Sequence, residues 1–322
     1  MKILSSIFVC FYSLMSTSAW AWTPSQPIKV LIGFAPGSGN ELIFRSLAAE
    51  VEKNTGAKFV IMTKPGAGGA IASKQLTQEK PDGHTVSVVI SKGIPVQDKI
   101  NIPDQKNRGY SIDDFTYLMV PAVNQFAIIA NSKDSINGPK DLINALTREP
   151  MTFVAGGGSR LVYEVLKESI KFKDVVHLLD NGPVQAINEI IGGHARIAVV
   201  PLLVAGNYHK NGNIKIVATT GTNRAIPGIG TVSEAVPGFE VMTGWGIVAP
   251  KGLPNDVQNW YIREFGKALQ SESVKTFWNN NFLETPSTKM LSSSGYFDYV
   301  KTNESRYAKI VDTVVKDIQK KQ

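Results

Sequence analysis

The chain has 322 residues, 43% of them hydrophobic and 19% charged, a balance that fits a globular protein and excludes a disordered one. The 34 Lys and Arg against 27 Asp and Glu leave a formal charge of +7. No dense basic run gathers that charge beyond Lys320-Lys321, so a solvated surface is expected and no nucleic-acid partner.

Lys2 is followed by an apolar stretch from Ile3 to Met15, then by small residues and the A-x-A spacing of Ala19-Trp20-Ala21. This is the pattern of a secretory signal. Cleavage after Ala21 is expected, giving a mature chain that starts at Trp22 in the periplasm. The apolar run is too short to span a membrane, and no later stretch is long enough. Cys10, the only cysteine, falls inside the signal, and Val9 before it is not the small residue a lipoprotein needs. The mature chain is therefore expected to carry no disulfide and no thiol chemistry.

Residues 27–35, PIKVLIGFA, have the apolar density of a buried parallel strand. Asn40 to Asn54 reads as a helix, with Ile43, Leu47 and Val51 forming one stripe and Gly56 ending it. A second strand, 58–63, leads into a glycine turn that opens a helix with Ile71 and Leu76 on its core face. The turn PDGH, 81–84, precedes a strand at 85–90. Residues 93–114 read as a connecting loop. Strands follow at 115–123 and 125–131, then a helix at 138–149 with Pro139 in its first turn. Residues 151–170 repeat the opening pattern of strand, glycine turn and helix. A strand near 175–180, a helix from Pro183 to Ile191, strands at 195–201, 214–220 and 244–250, and a mainly helical stretch from Pro254 complete the chain. No tandem repeat or low-complexity tract is evident. Strands alternating with helices predict an α/β fold with two doubly wound sheets. Three glycine turns sit at strand C-terminal ends, the edge where open α/β sheets bind ligands.

Those turns do not match nucleotide motifs. None supplies the lysine of a P-loop. Gly37-Ser38-Gly39-Asn40-Glu41-Leu42 and Gly156-Gly157-Gly158-Ser159-Arg160-Leu161 both lack the last glycine of a dinucleotide fingerprint. Ser38 and Ser159 miss the G-x-S-x-G spacing of a nucleophile elbow. None of His84, His177, His194 and His209 has a spacing that singles it out, and no metal-binding motif or cofactor signature is present. Asp113-Asp114 reads as a turn or helix cap. Anion capture by backbone remains. A helix N-terminus offers unpaired N–H groups, and a glycine turn lets a ligand approach them. Each turn could equally be a tight connection and nothing more.

The stretch PIKVLIGFAPGSGNELIFRSLAAEVEKNTGAKFVIMTKPGAGGAIASKQLTQEKPDGHTV closely resembles the solute-binding subunits of tripartite tricarboxylate transporters, the Bug family. The matching features are a strand P-I-K-V, a glycine loop entering a helix, the P-G-A-G-G and P-D-G-H-T turns, GGGS, VATTGTNRAIPGIGTVSEAVPGFE and GWGIVAPKGLP. The resemblance covers essentially the whole mature chain. It implies a type II periplasmic-binding-protein-like fold, two α/β domains around a cleft, and capture of a small carboxylate: a di- or tricarboxylate, an acidic amino acid or an aromatic acid. It implies membrane transporter subunits as partners, although many members are thought to act without a dedicated transporter. A sensory role, presenting ligand to a receptor, stays open. A monomer without cofactor, metal or catalytic residues is expected. A secreted serine hydrolase using Ser159 or Ser38 is the competing class.

By the same resemblance, ligand contacts carry over to Pro36, Gly37, Ser38, Gly39, Asn40 and Glu41 after the first strand, and to Gly157, Gly158, Ser159 and Arg160 in the second domain. Gly66, Ala67 and Gly68 would line the first sheet's end. Domain I is expected at 22–121 plus 243–322 and domain II at 122–242, with the hinge at crossings near Pro121 and Thr243. Trp245 is either an aromatic wall of the cleft or core. The side chains depart from the family pattern: Glu41 stands for an aspartate, Arg160 follows Ser159, Asp180-Asn181 lie before the helix at 183, and Val200 stands where an acid is common. Arg160 either pairs with a carboxylate through two bonds or is simply solvated.

Overall fold

A computed structural model describes residues 22–178 and 182–319. The expected signal segment, Asp180 and Asn181 lie outside the described residues.

The first half begins with β1 (Ile28–Ile32), α1 (Gly39–Thr55), β2 (Phe59–Thr63), α2 (Ala70–Leu76) and β3 (Thr85–Ile90). Four of the five β1 side chains are fully buried, as a strand covered on both faces requires. The α1 stripe is in place, since Ile43, Leu47 and Val51 are each at most 1% exposed. Gly56 ends the helix in a left-handed conformation at φ 75°. On α2, Leu76 is buried but Ile71 is 51% exposed, which corrects the expected core face. Ile71 lies in the first turn, and its Cδ1 covers the Gly66 backbone instead of the sheet.

Residues 93–114 are not a loop. They form a π-helical turn (Gly93–Gln97), α3 (Asp98–Asn101), α4 (Gln105–Arg108) and a 3₁₀ turn (Ile112–Asp114). Ser111 and Asp114 close that last turn as a capping box, the role expected of the Asp113-Asp114 pair. Each piece is shorter than two helical periods, so no periodicity exists to read. The segment feeds two cores: Ile94 packs with first-half residues, whereas Val96 and Ile100 pack with the second half.

The two strands expected at 115–131 are one 17-residue strand, β4 (Phe115–Asn131). The register against β9 (Met242–Pro250) is irregular on either side of Met119, and Pro121, which has no N–H to give the ladder, lies in that region. The second half continues with α5 (Pro139–Arg148), β5 (Met151–Val154), α6 (Arg160–Ser169), β6 (Val175–Leu178), α7 (Pro183–Ile191), β7 (Ile197–Pro201), α8 (Leu202–Lys210) and β8 (Ile214–Thr219). The sequence does not reveal α8. It starts directly after β7 without a capping side chain, and its first four residues, Leu202 to Ala205, are all apolar, so the sequence marks no one face as buried. The chain ends with β9 (Met242–Pro250), α9 (Asn255–Ala268), α10 (Glu272–Asn280) and α11 (Ser293–Gln319).

The sheet order shows a repeat that the sequence hides. In the first half the order is β2-β1-β3-β9-β4, and in the second β6-β5-β7-β4-β8. Each half has a parallel trio flanked by one antiparallel strand: β9 in the first, β4 in the second. Strand β4 serves both. Residues 115–125 pair with β9, and from Phe126 onward the pairing passes to β7 and β8. Helices cover both faces of each half. Helix α11 joins them: Tyr296 and Val300 sit in a first-half core, while Tyr307, Ile310, Val311 and Val314 sit in a second-half core.

Candidate ligand-binding site

The turn between β1 and α1 holds the first group of expected contacts. Gly37 takes φ 79°, and Ser38 is the extended N-cap residue of α1, with no capping bond from its side chain. Pro36 and Gly37 are exposed at the tip. Glu41 folds back on the turn: its Oε2 accepts from Gly37 N–H at 2.9 Å and its Oε1 from Arg45 Nε at 2.7 Å. The Gly37 bond and then Arg45 hold its carboxyl below the usual range. Asn40 is also committed. Its Nδ2 donates to the Val88 carbonyl at 3.0 Å, and its Oδ1 accepts from Trp245 Nε1 at 3.2 Å. Two side chains expected to select the ligand thus hold the turn in shape. What the turn leaves for a ligand is backbone. Leu42 N–H is bonded to Ser38 O, so the N–H groups of Gly39, Asn40 and Glu41 precede the first bonded residue of the helix. Ser38 Oγ is buried beside them with no partner among the described residues.

Gly66, Ala67, Gly68 and Gly69 all have positive φ, from 47° at Ala67 to 140° at Gly66. Gly33 lets this turn come close to the end of β1. A Cβ on Gly33, just after β1, would lie 2.4 Å from Gly69 Cα. Asn101 Nδ2 pins the turn by donating to the Ala67 carbonyl at 3.2 Å. The turn therefore shares the C-terminal sheet edge with residues 36–41.

The equivalent edge of the second half carries Gly157, Gly158 and Ser159 as a 3₁₀ turn leading into α6. Ser159, 7% exposed, donates its N–H to Gly156 O at 3.0 Å. Arg160 Nε lies 3.3 Å from Glu164 Oε1, and the Arg160 side chain is 15% exposed. The pair sits one helical turn apart on α6.

Each turn meets at least one residue of the opposite half, Leu203 for the first and Gln97 and Ile90 for the second, while Trp245 belongs to the same half as Gly39. A Cβ on Gly39 would be 3.2 Å from both Leu203 Cδ2 of α8 and Trp245 Cζ2. A Cβ on Gly158 would be 3.3 Å from Gln97 Nε2 and 3.7 Å from Ile90 Cδ1. Trp245 is 3% exposed and packs in the first-half core beneath the α1 turn. Sequence reasoning missed Gln97, Ile90 and Leu203. The rule that ligands gather at strand C-terminal edges points to Ile90 and to the turn that follows it. Leu203 had no signal, because α8 had none.

A surface concavity of about 600 Å³ lies elsewhere, lined by Met151, Thr152, Asp134 and Arg196 among others. It opens at the starts of β5 and β7, away from the glycine turns. Its cation is already engaged, since Arg196 pairs with Asp134 at 3.1 Å and with Glu149. Among the described residues, no three His, Cys, Asp or Glu gather to hold a metal, and no helix is long and apolar enough to cross a membrane.

Comparison with known proteins agrees with this architecture. The family model described as tripartite tricarboxylate transporter family receptor matches residues 43–315. A Cupriavidus necator protein described as UPF0065 protein in gbd 5'region is 26% identical over 260 residues, 78% of this chain and 77% of its own. Among solved structures, MatC from Rhodopseudomonas palustris with bound malate is 20% identical, covers 90% of this chain and 100% of its own, and superposes with a TM-score of 0.76. An R. palustris protein with adipate is 21% identical, covers 90% and 98%, and has a TM-score of 0.80. These two share the fold, two α/β domains of the periplasmic-binding-protein kind. With its glycine turns at the two corresponding sheet edges, the chain belongs to the tripartite tricarboxylate transporter family of receptors.

Proposed function

We propose that the chain is a periplasmic solute-binding protein that captures a small organic carboxylate and delivers it to the membrane subunits of a tripartite tricarboxylate transporter. The observation that carries this reading is that each half has a helix N-terminus, α1 in the first and α6 in the second, behind a glycine turn at the C-terminal edge of a parallel trio. Such ends favour carboxylates through unpaired N–H groups and the helix dipole. Malate and adipate in the two related structures fit the same ligand class. Binding without catalysis is the activity we assign, with export through cleavage after Ala21.

The proposed domains are residues 22–121 with 243–322, and residues 122–242. The proposed hinge is at the crossings near Pro121 and Thr243, a few residues from where β4 changes partners after Gln125. The proposed ligand contacts are the backbone of residues 36–41 and 157–160, with Ser38 Oγ, Ser159 and Arg160; residues 66–68 shape the first edge. Native mass spectrometry of freshly purified protein tests the reading. A retained small acid, released on denaturation, supports it. Ester hydrolysis lost in Ser159→Ala or Ser38→Ala would replace it with the hydrolase.

A further inference from the structure

Gln97 ends the π-helical turn after β3 and is 4% exposed. Its Nε2 is buried and has no hydrogen-bond partner among the described residues. A buried donor left unpaired costs free energy, and native proteins keep such groups rarely and at functional places. The backbone on either side is fixed. Val96 on one side is buried in the second-half core, and Asp98 on the other accepts a hydrogen bond from Tyr110 at 2.7 Å. The turn itself is wide: both Val96 N–H and Gln97 N–H point to the Lys92 carbonyl, at 3.1 and 3.4 Å. Irregular turns of this kind recur at functional sites.

The surroundings say what is missing. The Gln97 amide lies close against Gly158, where an added Cβ would stand 3.3 Å from Nε2. After Gly158 come Ser159, whose hydroxyl makes no capping bond, and Arg160, both with side chains that can donate at the N-terminal end of α6. An amide donor beside a cluster of donors needs an acceptor that carries more than one oxygen.

We propose that Gln97 is a ligand-binding residue supplied by the first half, whose side-chain amide joins the α6 N-terminus and Ser159 in holding one carboxylate of the ligand. This rests on the carboxylate-binding reading above. Because Gln97 and Gly158 belong to opposite halves, a carboxylate seated there bonds to both and ties them together.

The test is titration calorimetry of the whole mature protein with L-malate and with adipate, for wild type, Gln97→Met and Gln97→Glu, together with ligand-free melting curves. Methionine keeps the length and removes the donor. Glutamate places a like charge against the ligand. Gln97→Met is expected to weaken binding about 10- to 100-fold, the range for a hydrogen bond to a charged group. Gln97→Glu is expected to weaken it further. Ligand-free Gln97→Met is expected to melt no lower than wild type, since it loses only an unpaired donor. Wild-type affinity in both variants would overturn the assignment. So would a ligand-free melting point that falls in step with affinity, because the amide would then be supporting the fold. If wild type bound neither these acids nor any other in a carboxylate panel, the carboxylate reading itself would fall, and this assignment with it.

Discussion

Trp245 Nε1 donates to Asn40 Oδ1 at 3.2 Å, and the same Asn40 donates from Nδ2 to the Val88 carbonyl at 3.0 Å. One 4%-exposed side chain therefore pins the first turn of α1 to both β3 and β9. Asn40→Ala strands a buried indole N–H and a carbonyl, and is expected to cost about 2–3 kcal/mol. Urea unfolding followed by tryptophan fluorescence measures it; an unchanged midpoint would contradict the assigned role.

Glu41 makes a pH-dependent contribution. Its folded-state carboxyl is held low by Gly37 N–H and Arg45, so the stability it adds is present above the ordinary carboxylate range and is lost as pH falls through the depressed value. Glu41→Gln is expected to lower the melting temperature at pH 7, by an amount that shrinks toward pH 3. A gap independent of pH would show that the charge is not what matters.

Asp98 works in the other direction. Burial pushes its carboxyl up to about 6, against the bonds from Tyr110 and the pull of Arg108. A raised acid penalises the folded state once pH exceeds the unfolded value, and fully so above the folded one. Asp98→Asn keeps an acceptor for Tyr110 and is expected to stabilise the protein by about 2 kcal/mol at pH 8 and hardly at all at pH 4. Melting curves at the two pH values decide this.

Lys92 gives a mirrored profile. Burial first, then Arg306, lowers its ammonium to about 7, while its Nζ donates to Met242 O at 2.9 Å and lies 5.5 Å from the Tyr307 ring centroid. Glu240 opposes that shift. The folded state is penalised at and below pH 7, and the penalty fades toward the unfolded value. Lys92→Met should therefore raise the melting temperature more at pH 6 than at pH 9, as scanning calorimetry would show; the reverse order would refute it.

Gly158 bears on the site directly. A valine there crowds Gln97 Nε2, 3.3 Å from the first added carbon, and occupies the proposed carboxylate position. Gly158→Val is expected to reduce carboxylate affinity at least tenfold, measured well below its ligand-free unfolding midpoint, which the crowding of Gln97 is expected to lower. Equal affinity would move the site away from this turn.

Much of the fold was legible because its signals are local. The Ile43, Leu47 and Val51 stripe and the glycine turns at strand ends follow from chain geometry alone. The misses came from residues whose partners are distant in sequence. The 93–114 segment divides its apolar side chains between two cores, and α8 opens on four apolar residues in a row, so neither shows a period. Asn124 looked like a break between two strands. Instead it keeps β4 running and accepts from Leu203 N–H, 79 residues away, at 3.0 Å. At the site, the backbone frame could be read from the glycines. The commitment of Asn40 to Trp245, and the approach of Gln97 to Gly158, could not, since each joins residues more than 50 positions apart.

The central claim is that the two glycine turns hold a small carboxylate. A thermal-shift panel of the mature protein tests it most directly, with mono-, di- and tricarboxylates, acidic amino acids and aromatic acids beside their neutral amides. A ligand at 100 times its Kd adds about 2.7 kcal/mol of stability, so at least one acid is expected to raise the melting temperature by several degrees while its amide does not. No shift with any acid, or equal shifts with the amides, would contradict the account.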